Sequence, residues 1–130
     1  MSGWFKPHQT TSRTTRTIGA AAEDMAIEYL EGKGLTLLTR NYHCRRGEID
    51  IIMQDGNFLV FIEVRYRKND NFGSAAESIT RQKQQRLLTT ADYYLQNEKQ
   101  SADNACRFDV IALSGQQDPQ IVWIKDAFQA

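Results

Sequence analysis

The chain has 130 residues, room for one domain with one ordinary core. Apolar residues make up 41% and charged residues 25%, the balance of a soluble globular protein, and no apolar run approaches the roughly 20 residues of a membrane helix. Net charge is zero, which excludes a protein that holds polyanions by bulk charge and leaves only local patches for that purpose.

Residues 1–17 carry Lys6, Arg13 and Arg16 among Thr, Ser and Gln with no apolar stretch behind them. They read as a mobile basic arm and not as a signal peptide, followed by a single domain over 18–130 in a cytoplasmic protein. Ile18 to Lys33 has Ala22, Met25, Ala26, Tyr29 and Leu30 at helical spacing, with Gly34 placed to end the helix. Glu23 falls on the shoulder of that stripe, while Asp24, Glu28 and Glu31 point to solvent. From periodicity alone Glu23 reads as a snorkelling surface residue.

Leu35 to Tyr42 reads as a strand, followed by Arg45-Arg46-Gly47 and two strand-like runs, Glu48 to Gln54 and Phe58 to Arg67. Asp55-Gly56-Asn57 joins the runs, and Asp-Gly is a strong hairpin signal. With Asp55-Gly56 as the turn, Gln54 pairs with Asn57, Asp50 faces Phe61 and Glu48 faces Glu63. Side chains alternate with period two, so Glu48, Asp50, Glu63 and Arg65 emerge on one face. Asp50 and Glu63 become diagonal neighbours about 7–8 Å apart at the backbone. Two carboxylates so placed can share one hard divalent cation. An exposed hairpin with solvated charges is the simpler alternative, but three acids and a base on one face favour a metal site.

A polar, Gly-containing loop follows from Tyr66 to Ser78, its basic start suited to gripping a substrate. A helix runs from about Thr80, its cap, to Gln96, with Gln84, Leu87, Leu88, Ala91, Tyr94 and Leu95 facing inward. Gln84 is a polar intruder one turn from the helix start, satisfied by nearby backbone or reaching a site at that end. Arg107 to Leu113 and Ile121 to Lys125 are the last strands, and Asp109 between Phe108 and Val110 is a buried, structural acid. The order helix, strand, hairpin, helix, strand, strand is α/β with a mixed sheet. Cys44 and Cys106 are too few and too distant in sequence for a zinc site and read as reduced thiols.

Positive charge is clustered despite the zero total: Arg40, Arg45 and Arg46 precede the acidic hairpin, Arg65, Arg67 and Lys68 follow it, and Arg81, Lys83 and Arg86 open the next helix. A phosphate footprint needs such patches and not a basic total.

The motifs Gly19-x-x-x-Glu23, Gly47-Glu48-Ile49-Asp50, Phe61-Ile62-Glu63-Val64-Arg65, Ser78-Ile79-Thr80-x-x-Lys83-Gln84, Arg107-Phe108-Asp109-Val110 and Trp123-Ile124-Lys125-Asp126-Ala127-Phe128 occur in order. Together they resemble the YraN family, which is similar to archaeal Holliday-junction resolvases with a restriction-endonuclease-like fold. The resemblance implies a mixed sheet flanked by helices in the order α-β-β-β-α-β-β and a nuclease core on Glu23, Asp50, Glu63 and Arg65. Arg65 stands where that fold usually has lysine. An arginine clamps phosphate well but is a poor proton carrier. The implied activity is magnesium- or manganese-dependent hydrolysis of branched or structured DNA. Asp50, Glu63 and the Val64 carbonyl would hold the metal, and Gln84 would orient the phosphate or water. Arg45, Arg46, Arg67, Lys68 and Lys83 would grip nucleic acid, in a possible homodimer. The alternative is a non-cutting accessory module that hands structured nucleic acid to a helicase or recombination factor.

Overall fold

The computed structural model describes residues 10–67, 79–98, 105–115 and 118–129, with side chains from residue 18 onward. Helix α1 (Thr10–Gly32) is followed by strands β1 (Thr36–Cys44), β2 (Gly47–Asp55) and β3 (Phe58–Arg67). Helix α2 (Arg81–Asn97) and strands β4 (Ala105–Ser114) and β5 (Gln120–Phe128) follow among the described residues. The five strands form one sheet in the order β1-β2-β3-β4-β5, antiparallel except for the parallel pair β3/β4. A parallel pair needs a long crossover, and α2 lies in it. The architecture is therefore α/β, with a mixed five-stranded sheet.

Among the described residues one helix covers each face of the sheet, and the two cores are distinct. On one face Ala22, Ala26, Ile27 and Leu30 of α1 meet Ile51, Met53, Val60, Ile62, Ile111 and Leu113. On the other, Leu87, Ala91 and Tyr94 of α2 meet Ile49, Ile52, Leu59, Phe61, Phe108 and Val110. Strands β2, β3 and β4 thus bury both faces, which is why they read as nearly continuous apolar runs.

Two expectations change. Helix α1 begins at Thr10, eight residues before the expected start, so the second half of the expected basic arm is helical. The apolar stripe that marks the helix in sequence starts only near Ile18. Extending an existing helix costs no new nucleus, so it can run past its stripe. Residues 1–9, and Lys68 in the expected gripping loop, lie outside the described residues.

The hairpin turn is also moved. Asp55 pairs with Phe58 and Gln54 with Leu59, so Gly56-Asn57 is the two-residue turn, with Gly56 at φ 59°. The register differs by two from the one expected with Asp55-Gly56 as the turn. A shift of two preserves the faces, because two is the side-chain period.

Candidate functional site

The β2–β3 ladder ends at Ile51–Ile62, and the site begins one residue beyond it. Ile49 and Ile52 both pack on the α2 face while Ile51 and Met53 pack on the α1 face, so alternation slips at Ile49-Asp50. Across on β1, between the pairs Arg40–Ile51 and Tyr42–Ile49, Asn41 sits at φ 55°. In this local departure from regular pairing, the Asp50 Oδ2 accepts the Val64 N–H at 2.9 Å. Val64 is joined to Glu63, so the same contact sets the two acids side by side.

The two carboxyl groups are held very differently. Burial pushes the Asp50 carboxyl up to about 7, and the neighbouring Glu63 charge adds to it. The Val64 N–H opposes the rise, and Glu23 contributes a smaller upward push. Glu63 is buried, and Lys83 Nζ stands 2.8 Å from its Oε2, with Arg65 Nη1 at 3.5 Å from the same oxygen. Lys83 is delivered from the first turn of α2. Thr80 caps that turn, its hydroxyl accepting the Lys83 N–H at 3.1 Å, as expected from the sequence.

Above the pair lies a pocket of about 510 Å³. Asp50, Glu63 and Glu48 supply its acids, and Arg45, Arg46, Lys83 and Arg86 supply its cations. The β1–β2 turn reaches it by packing tightly on α2: a Cβ on Gly47 would lie 3.1 Å from Thr90 Oγ1. Glycine at that position lets Arg45 and Arg46 come down beside Arg86. Arg86 was legible only as part of a charge cluster; its place one turn beyond Lys83 is the signal that could have put it at the site.

Other predicted residues have partners of their own. Glu23 is largely covered and engaged by Arg40 Nη2 at 3.2 Å, while Arg40 Nη1 holds Asp24 at 2.7 Å. Glu23 bears on Asp50 electrostatically, while its own carboxylate is held by Arg40. Among the described residues no three His, Cys, Asp or Glu side chains stand together as a set able to hold a metal ion. Gln84 turns its amide back to the Ile79 carbonyl at 3.1 Å, the backbone-satisfied alternative. Arg67 is half-buried on β3, its carbonyl accepting the Gly115 N–H at 3.1 Å, and it is absent from the pocket lining.

Asp109 is fully satisfied. Its oxygens accept from Arg107 Nε at 2.9 Å and Nη2 at 3.0 Å, from Trp123 Nε1 at 2.8 Å and from the Asp126 N–H at 2.9 Å. It is the structural acid that the sequence announced. Cys44 and Cys106 are both free thiols.

The sequence model of the Uncharacterised protein family UPF0102 matches residues 22–113, which include every acid of this site. The chain belongs to the UPF0102 (YraN) family. A UPF0102 protein of Nitrosococcus oceani is 49% identical over 117 residues, covering 89% of this chain and 94% of its own. One from Saccharophagus degradans is 51% identical over 110 residues, covering 85% and 91%. One from Pseudomonas fluorescens is 47% identical over 112 residues, covering 86% and 92%. The likeness to UPF0102 proteins therefore extends over most of the chain. Among the described residues no helix is long and apolar enough to cross a membrane.

Proposed function

We propose that this protein is a metal-dependent endonuclease acting on branched or structured DNA, with its sheet and helices in a restriction-endonuclease-like arrangement. The observation that carries the reading is the Asp50–Glu63 pair at the floor of a pocket rimmed by Arg45, Arg46, Lys83 and Arg86. Opposed charges layered this way suit a phosphodiester: cations bind the phosphates, and acids lie beneath the reacting atom.

The donor set fits a hard dication. Magnesium commonly takes one or two carboxylates and fills its remaining positions with water and substrate oxygens. Burial and the Glu63 charge hold the Asp50 carboxyl near pH 7, a strain of like charge that a cation relieves. Asp50, Glu63 and the Val64 carbonyl would hold the ion. When bound, magnesium or manganese supplies an activated water and neutralises charge developing on the phosphate.

The chain's own residues do the rest. Arg65 stabilises the phosphorane-like charge electrostatically, as a guanidinium clamp and not as a proton carrier. Lys83, already beside Glu63, offers the compact cation that position 65 lacks. Arg45, Arg46 and Arg86 engage flanking phosphates. Glu23, released from Arg40, would act through a bound water.

Incubating the purified protein with labelled four-way junctions, flaps and single strands in magnesium or manganese tests this reading. Cleavage that is lost in Asp50→Ala, with binding retained, supports it. No cleavage by the wild type of any of these substrates with either metal sinks it.

One observation favours a second reading, a non-cutting accessory module that presents nucleic acid to a helicase or recombination factor. Lys83 and Arg65 give Glu63 counterions within the chain, so the pair is partly neutralised without a metal. Under that reading, binding tolerates Asp50→Asn and titration with magnesium produces no site-specific change.

A further inference from the structure

Between the sheet and α2 runs a row of aromatic rings drawn from both. Phe128 stacks on Phe108 at 4.9 Å, and Phe108 stacks on Phe61 at 5.2 Å. Phe61 meets Tyr94 edge-on at 6.0 Å, and Tyr94 meets Tyr42 edge-on at 5.0 Å. The row ends on Tyr93, whose ring lies 6.4 Å from Tyr42. Phe61, Phe108 and Tyr94 are buried, whereas Tyr93 is 48% exposed. The last ring is therefore held from behind by a packed core and presented to solvent.

Its position relates it to the pocket. Cys44 Sγ lies 3.9 Å from Thr90 Oγ1, and two residues back along β1 Tyr42 meets Tyr93 and Tyr94. Strand β1 thus runs beside α2, from the pocket to the tyrosines. On α2, Arg86 and Tyr93 are seven residues apart, two turns on nearly the same flank, about 10 Å along the axis. Arg86 lines the pocket. A chain whose phosphates lie on Arg45, Arg46 and Arg86 would pass Tyr93 within a few nucleotides.

A basic track leading to an exposed, rigid aromatic ring is the arrangement that binds single strands: phosphates on the cations, a base on the ring. A base inside a duplex keeps its faces stacked and offers none to a tyrosine. We infer that Tyr93, backed by Tyr42, is a stacking platform for an unpaired base beside the acid pocket, so that the preferred substrate carries a single-stranded segment there. This rests on the nucleic-acid reading of the pocket and narrows it to a substrate class.

The test is a binding measurement in buffer without divalent metal, so that nothing is cut. The probes are a labelled oligothymidine and an abasic oligomer of the same length, which share their phosphate charge and differ only in bases. The wild type should prefer oligothymidine by about 10-fold, within the roughly 1–3 kcal/mol attributed to one base–aromatic stack. Tyr93→Leu, which keeps an apolar cover over Tyr42 but has no π face, should erase that preference with little change in affinity for the abasic oligomer. Tyr93→Phe should retain it. Thermal melting of all three proteins separates loss of fold from loss of stacking. Equal affinity of the wild type for the two probes overturns the platform and leaves the pocket standing. So does an equal fall for both probes in Tyr93→Leu. Binding of neither probe at low salt overturns the pocket reading as well.

Discussion

Asp50 and Asp109 are both acids set among apolar strand residues, yet the fold treats them in opposite ways. Asp109 receives four hydrogen bonds, two of them from Arg107, which stands two residues away on the same strand. Asp50 receives one backbone N–H and shares its surroundings with Glu63. A buried charge with its hydrogen bonds complete serves the structure. A carboxylate placed beside a like charge works against folding, which makes it a candidate functional group. Burial alone does not distinguish the two; their partners do.

The largest test of the contrast is Asp109→Ala. It leaves the Arg107 guanidinium with Asp55 alone, leaves Trp123 Nε1 and the Asp126 N–H without their acceptor, and loosens β5 from β4. Removing one partner of a buried ion pair costs about 3–5 kcal/mol, which urea denaturation should register as a lower midpoint. A cost below about 1 kcal/mol would show that Asp109 is not the structural acid of the pair.

Magnesium should act on the other acid. If Asp50 and Glu63 hold the ion, saturating metal stabilises the folded chain by RT ln(1 + [L]/Kd), about 2.7 kcal/mol at a hundredfold excess over Kd. The melting temperature should rise with magnesium in the wild type and in conservative variants of Tyr93, but not in Asp50→Asn. An equal rise in Asp50→Asn would move the metal elsewhere.

Without metal, Asp50→Asn should stabilise the protein near neutral pH by roughly 1–3 kcal/mol, the range for relieving a poorly satisfied buried polar group. The pH dependence follows from the raised carboxyl. Folded Asp50 holds its proton up to about pH 7, whereas the unfolded chain releases it near pH 4. Between these values the folded state binds more protons, so the wild type's stability falls as pH rises from about 4 to about 7. Asp50→Asn should lack that part of the decline. Parallel stability–pH curves for the two proteins would remove Asp50 as its source.

Much of the contrast was legible in the sequence. Asp109 between Phe108 and Val110 read as buried and structural, and the Asp50–Glu63 face followed from strand parity. That parity withstood an incorrect turn because the register moved by two and not by one. The pairing of Glu23 with Arg40 was not legible, because Arg40 belongs to a different element and its reach depends on tertiary placement. Gln84 pointed two ways in sequence, and only the backbone geometry at Ile79 decided between them. The N-terminal extension of α1 had no apolar stripe to announce it. Lys83 read as a phosphate ligand by charge; its approach to Glu63 depends on how α2 crosses the sheet, which periodicity does not encode.

That crossing supplies the smallest and most local test. Asp109 draws its cation from its own strand, whereas Glu63, besides Arg65 on its strand, draws Lys83 from the capped first turn of a helix. Thr80→Ala removes the hydroxyl that accepts the Lys83 N–H and should cost about 1 kcal/mol, as loss of a helix cap does. Fraying of that turn should also loosen Lys83 from Glu63, leaving a buried acid less compensated and the pocket less positive. Affinity for an oligonucleotide should then fall by a few-fold at low salt, and the difference should shrink as salt screens the charges. Thr80→Ser, which keeps the cap, should match the wild type in both measurements. If Thr80→Ala loses stability but binds as the wild type does at every salt concentration, Lys83 holds its place through Glu63 alone and the cap is structural only.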